Sequence, residues 1–376
     1  MALSPKSSAL SFRTSWMASE VSGEVAFSAL AASHDKAIER MPQEASTTSI
    51  VLGGAEAQMN VVGHRLASWI SGAFRHLILA QPMGSPQLTI DLWDERATGI
   101  DCPDAVSAIE RQVKAERQGR LFVAVGRSGD RYVGYFRPGI YVWMDRESAR
   151  AVGWVADGTR LSMQDRAKPL HFPLLLWHAD RKTPVVHAAL VSWVGQGALL
   201  IGREGAGKTS AAVACFLGGF DFLGDDYIAL QRIGSDRFVG HSLYDSMRIR
   251  PDTEARCPEL APYLQRINRF TTDGKKLLRS TDVAPLRVVR SAEIRDIMAI
   301  ERCEGAAVSI TPMSKREAFL CVAPNSMLKL PVSGSILMER MAELVDRVPV
   351  HRLAVDGDLA VLPSLIKKRL ARGESR

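Results

Sequence analysis

Gly197-Ala-Leu-Leu-Ile201-Gly202-Arg-Glu-Gly-Ala-Gly207-Lys208-Thr209-Ser210 joins an apolar run of strand length to a helix-forming segment through a glycine-rich loop. Gly202 to Thr209 satisfies G-x-x-x-x-G-K-[ST] at every fixed position. At the residue frequencies of this chain, chance supplies roughly 0.01 such matches, so the pattern counts as a signal. Thr209 to Leu217 reads as a helix, and Gly218-Gly219 supplies its stop. A strand, a glycine loop and a helix N-terminus in that order make an anion cradle. Glycines let backbone N–H groups turn inward, and the helix end adds partial positive charge. On this reading Gly202, Gly205, Ala206, Gly207, Lys208, Thr209 and Ser210 hold a nucleotide. Lys208 reaches the β- and γ-phosphates and Thr209 ligates magnesium, so ATP and Mg2+ are the expected cofactors.

Downstream, Phe220-Asp-Phe-Leu-Gly-Asp225-Asp226-Tyr-Ile-Ala-Leu230 places two adjacent carboxylates between strand-like residues. They follow Lys208 by 17 and 18 positions, with one helix between, so their strand is expected near that of the loop. Beside a triphosphate, one carboxylate can hold magnesium and the other can orient or deprotonate an attacking hydroxyl. Upstream, His187 lies in Pro184-Val-Val-His-Ala-Ala-Leu190, one hairpin before the loop, with Gly195-Gln-Gly197 read as its turn. Spacing alone makes His187 either a partner of the phosphates or carboxylates, or a hydrogen-bonded core histidine. Arg248, Arg250, Lys275 and Lys276 are candidates to stabilise transferring charge, and His241 and Tyr244 are further candidates.

Together, His187-Ala188, the Gly202–Thr209 loop and Asp225-Asp226 resemble the HPr serine kinase family, within the phosphoenolpyruvate-carboxykinase-like group of P-loop kinases. The resemblance is specific across about 184–232. It is weaker across 240–365, where Leu243 to Asp252, Asp273 to Lys276 and Val348 to Leu353 look like segments of related proteins found beside peptide-modifying genes. It implies transfer of the ATP γ-phosphoryl group to a hydroxyl, a serine of a peptide or protein first among the acceptors. Lys208 and Thr209 would bind phosphate and magnesium, and Asp225 and Asp226 would supply metal contact and base, the resemblance not dividing those roles. Asp225 is the metal ligand expected beside Thr209, and His187 would join the catalytic group. Glu204 stands where the family's loop carries Ser, and Ser210 where it carries Glu. A relative that phosphorylates a different peptide or a small hydroxyl compound is therefore expected.

The rest of the chain frames this centre. Its 376 residues suggest two domains. The expected fold class is α/β: a P-loop kinase domain of HPr-kinase/phosphoenolpyruvate-carboxykinase-like type over 171–376, preceded by a smaller α+β domain over 46–170. Residues 1–45 read as a loosely ordered, Ser- and Ala-rich leader with a short helix near 23–40. The smaller domain is expected to hold an antiparallel sheet, with strands at Ser49–Leu52, Gln87–Trp93, Arg120–Val125, Arg131–Phe136 and Gly139–Trp143, and an amphipathic helix over 58–80. Pro169, Pro173 and Pro184 mark a junction.

Hydrophobic residues make up 46% and charged residues 24%, which excludes a disordered or collagen-like chain. Five widely spaced cysteines exclude a disulfide framework and a zinc site and point to a reducing, cytoplasmic location. No apolar run approaches membrane-spanning length, so no membrane partner is expected. The net charge of +7 is dispersed without a basic stripe, so a nucleic-acid-associated ATPase is disfavoured. A homo-oligomer is left open. The competing reading of another class is a nucleotide-binding switch without phosphotransfer, which needs no base at the Asp pair.

Overall fold

The computed structural model describes residues 23–107, 122–125, 131–267, 271, 274–303, 305, 307–321, 334–356 and 358–372. Residues 1–22 of the expected leader, Arg120 and Leu121 of the strand expected over Arg120–Val125, and Asp273 lie outside the described residues.

The first half opens with α1 (Gly23–Arg40), followed by β1 (Ala45–Leu52), β2 (Ala55–Val62), α2 (His64–Ala73), β3 (Leu88–Asp94), β4 (Phe122–Val125), β5 (Tyr132–Arg137), β6 (Ile140–Asp145) and β7 (Arg150–Val155). These strands form one sheet in the order β1-β2-β3-β7-β6-β5-β4. The sheet is mixed, which corrects the antiparallel expectation: β2 runs parallel to β3, and β3 to β7. The reason is α2, which carries the chain across the sheet so that β3 re-enters in the direction of β2. The helix expected over 58–80 is also corrected, since 58–62 belong to β2 and the helix covers only His64–Ala73. Val61 and Val62 suit either period. The Gly53-Gly54 turn, with φ of 54° and 78°, settles the matter by pairing them with Ser46 and Ala45.

Within the segment read as a leader, α1 buries Ala26, Leu30, His34 and Ala37 at helical spacing. It packs on the sheet face that carries Trp93, Trp143, Val152 and Trp154.

The junction holds two helices, α3 (Met163–Ala167) and α4 (His171–Asp180). Phe172, Leu174, Leu175, Leu176 and Trp177 of α4 are buried, and they belong to a hydrophobic cluster that runs without a break from Ile50 and Leu92 to Leu199 and Ile297. The two sheets therefore share a core.

Then come β8 (Val185–Val186), β9 (Ala189–Trp193), β10 (Gln196–Ile201), α5 (Lys208–Leu217), β11 (Asp221–Gly224), β12 (Ile228–Ile233), β13 (Arg237–Ser242), β14 (Met247–Ile249), α6 (Pro251–Arg256), β15 (Lys276–Leu278), β16 (Ser291–Glu301), β17 (Ser309–Pro312), α7 (Gly334–Arg347), β18 (Val350–Ala354) and α8 (Leu362–Ala371). The second sheet has the order β11-β9-β10-β16-β13-β12-β8, with β18 beside β16 and β17 beside β18, while β14 and β15 make a separate ribbon. The fold is thus mixed α/β with several sheets.

The β9–β10 turn lies at Val194-Gly195, with φ of 51° and 77°, earlier than the Gly195-Gln-Gly197 expected. Two successive positive φ values match the twist of a two-residue hairpin. β10 is buried on both faces: Leu199 and Ile201 enter the shared core, while Ala198 and Leu200 pack with α5 and α8. That burial explains its unbroken apolar run. Among the described residues, no helix is long and apolar enough to cross a membrane.

Candidate active site

The loop between β10 and α5 turns through three positive-φ glycines, Gly202 (149°), Gly205 (81°) and Gly207 (104°). At Gly202 a Cβ would stand 2.9 Å from the Ile300 carbonyl oxygen on β16, so both conformation and space demand glycine there. The loop delivers Lys208 at the start of α5. This lysine is buried, and its Nζ donates to the carbonyl oxygens of Gly202 (2.9 Å) and Arg203 (3.2 Å). Thr209 follows, half-buried on the cleft wall. Ser210 also faces the cleft, with its hydroxyl 2.8 Å from that of Thr253 on α6.

Asp225 and Asp226 leave the end of β11, and His187 sits in the two-residue gap between β8 and β9. Because β11 pairs with β9 and β12 with β8, this gap and the Asp turn face one another. β11 is separated from β10 by β9, so the carboxylates lie one strand away from the loop's own strand. His187 Nε2 lies 2.6 Å from Asp226 Oδ1. The other oxygen, Oδ2, accepts from Arg248 (2.6 Å) and from Lys168. Asp225 Oδ2 accepts a long bond, 3.3 Å, from the Arg248 backbone N–H. Both carboxylates are buried.

Aromatic side chains and further charges surround this group. Lys168 Nζ lies 4.2 Å from the centroid of the Tyr227 ring. Burial pushes the Tyr227 hydroxyl up to about 12, opposed by Arg248 and reinforced by Glu204. The His171 ring lies 4.3 Å from that of Tyr227, tilted by 51°, and meets the Tyr244 hydroxyl at 3.2 Å. Burial first, then the charges of Lys168, Arg248 and Arg137, lowers its pKa to about 3.

These residues surround a partly open cleft. His187, Gly205, Gly207, Lys208, Thr209, Ser210, Asp225, Asp226, Arg248, Arg250 and Lys275 all line it. Gly202 and Ala206 belong to the loop but not to the cleft wall. Three sequence candidates fall elsewhere. Lys276 Nζ binds both oxygens of Glu254 at 2.8 Å. His241 bonds to Gln231, and Tyr244 is buried against Phe74 and His171. The parity of the ribbon separates the two lysines. Arg248 pairs with Leu277 and Ile249 with Lys276, so Arg248, Arg250 and Lys275 share the cleft face while Lys276 takes the other.

Sequence reasoning missed Lys168, which carries no motif and is marked only by the proline that follows it. It also missed Asp252, Thr253 and Arg302 on the wall, where Asp252 and Arg302 form an ion pair at 2.9 Å.

Among the described residues, no cluster of three or more His, Cys, Asp or Glu could hold a metal alone. Magnesium ordinarily takes one or two carboxylates with substrate phosphates completing its shell, and Thr209 and Asp225 on one wall fit that donor set. The inward-turning loop at the α5 N-terminus likewise fits a phosphate chain.

Among solved structures, the chain is similar to the HPr(Ser) kinase/phosphatase from Coxiella burnetii, at 12% identity and a TM-score of 0.30, over 51% of this chain and 99% of that one. A likeness this slight carries no argument about chemistry. No family model and no curated protein matches the chain.

Proposed function

We propose that this cleft binds ATP with magnesium and transfers the γ-phosphoryl group to a hydroxyl, a serine of a peptide or protein being the favoured acceptor. One observation carries the reading: the phosphate loop, the two carboxylates and His187 line a single cleft, although 39 positions separate His187 from Asp226. Loop amides and Lys208 hold the phosphates. Thr209 and Asp225 would hold magnesium, which would supply charge neutralisation on the transferring group. Asp226 accepts from His187, and this pair receives the proton of the attacking hydroxyl. Arg248 and Arg250, which line the cleft, would stabilise developing negative charge.

One observation favours a second reading. Both oxygens of Asp226 are engaged, by His187 on one side and by Lys168 and Arg248 on the other. A carboxylate so held suits a nucleotide switch that transfers nothing.

Incubating the chain with γ-labelled ATP, magnesium and lysate from its own source separates the two. Label on a peptide, protein or small molecule, lost in Lys208→Ala and Asp226→Asn, supports the kinase. Tight ATP binding with no transferred label in any fraction overturns it in favour of the switch.

A further inference from the structure

We propose that Glu204 makes nucleotide binding depend on a divalent cation: its carboxylate, set in the phosphate loop between Gly202 and Gly205, rejects a free triphosphate and admits a metal-complexed one. The inference rests on the nucleotide reading of the cleft and goes beyond it, to which form of the nucleotide is bound.

A carboxylate in a phosphate cradle needs a reason. Elsewhere in the loop the chemistry favours anions: inward backbone turns, the N-terminus of α5 and Lys208. Glu204 opposes them with a full negative charge. Its side chain lines the cleft, and its charge reaches the buried Tyr227 hydroxyl, which it helps to raise. The field of Glu204 therefore acts inside the cleft as well as on solvent.

Charge balance gives the consequence. Among the described residues, five cationic side chains and four carboxylates line the cleft, leaving a surplus of one positive charge. A free nucleoside triphosphate brings about four negative charges, and a bound divalent cation removes two of them. The metal complex nearly balances the cleft, whereas the free triphosphate leaves a large uncompensated excess in a partly desolvated space. Replacing Glu204 by a neutral residue doubles the positive surplus and relieves repulsion where the phosphates lie. The relief is larger for the free triphosphate, which carries more charge.

The test is equilibrium binding of a non-hydrolysable ATP analogue, titrated in EDTA and in magnesium chloride. The proteins are the wild type, Glu204→Gln, Glu204→Asp and, as a non-binding control, Lys208→Ala. Glu204 is exposed on a loop, so the isosteric Gln variant keeps the fold, which the thermal unfolding midpoint verifies. In the wild type, EDTA weakens binding at least thirtyfold. In Glu204→Gln that penalty shrinks at least fivefold through tighter binding in EDTA, while affinity in magnesium stays within threefold. Glu204→Asp keeps the wild-type penalty.

An unchanged penalty in Glu204→Gln overturns the inference and leaves the nucleotide reading standing. Loss of affinity in magnesium by Glu204→Gln also overturns it, and makes the carboxylate a direct metal ligand. No binding by the wild type in either buffer overturns the nucleotide reading itself, and the inference with it.

Discussion

Lys168 and Asp226 stand 58 positions apart and meet as a largely buried ion pair at the cleft, the lysine arriving from the turn after α3. That turn is anchored on both sides. Ser246 donates to the Ala167 carbonyl at 2.9 Å, and Arg166 lies over the Trp69 ring at 3.7 Å. Helix α2 of the first half, which carries Trp69, thereby helps to place a charge beside the site. Lys168→Met is expected to destabilise the chain by about 2 kcal/mol, because a buried carboxylate loses one of its cations. It should also lower phosphotransfer at least tenfold while ATP affinity changes less than threefold. Lys168→Arg should recover part of both. Urea unfolding and single-turnover transfer measure the two effects, and wild-type behaviour by Lys168→Met would refute this account of Asp226.

Gly202 and Gly205 separate space from conformation. Gly202→Ala meets the Ile300 carbonyl and also strains the backbone at φ 149°. A cost of about 3 kcal/mol and loss of ATP binding are expected. At Gly205 no described atom lies within 4 Å of an added Cβ, so only φ 81° matters and about 1 kcal/mol is expected. Equal thermal shifts for the two variants would contradict the geometry.

Buried histidines tie stability to pH, and four of them are shifted far. Burial lowers His171 and His178 to about 3 and His76 and His241 to about 4. In the unfolded chain each titrates near 6.5. Below that value the unfolded state binds more protons, so their contribution is full above about pH 6.5 and is lost as pH falls towards 4. Each contributes a loss on the order of 1 kcal/mol between pH 7.5 and 5.5. His241→Gln should remove that share, measured as the difference in urea midpoints at the two pH values. An unaltered pH dependence in this variant would be inconsistent with a neutral buried imidazole.

Arg250 and Lys276 are near neighbours on the ribbon with opposite expectations. Arg250 is exposed on the cleft wall, and Lys276 is tied to Glu254 on the far face. Arg250→Gln should weaken ATP binding or transfer about tenfold. Lys276→Met should change either by less than twofold. The two constants, measured side by side, check the parity of the ribbon, and a reversed order would mean that the register is wrong.

Much of the centre was legible because its demands are local. Positive-φ glycines, a lysine at a helix start and an apolar strand are written in consecutive residues, and the backbone of Gly202 to Thr209 needs little from elsewhere. The Asp pair was legible through its offset from Lys208. Less local features misled. Val61 and Val62 satisfy a helical or a strand period, and only pairing with β1 chose between them. Gly195 was recognised as a turn residue, but the turn begins at Val194, whose positive φ no local preference favours.

By itself the sequence determined a buried strand, a glycine loop and a helix able to cradle an anion, because those properties arise from neighbours in the chain. It also determined the charge of the loop, including the carboxylate of Glu204. The tertiary structure alone decided that Lys168 meets Asp226, that His187 faces the same carboxylate, and that Lys275 enters the cleft while Lys276 leaves it. Those contacts depend on strand order and register across long stretches of chain, and a one-residue change of register turns a side chain to the opposite face.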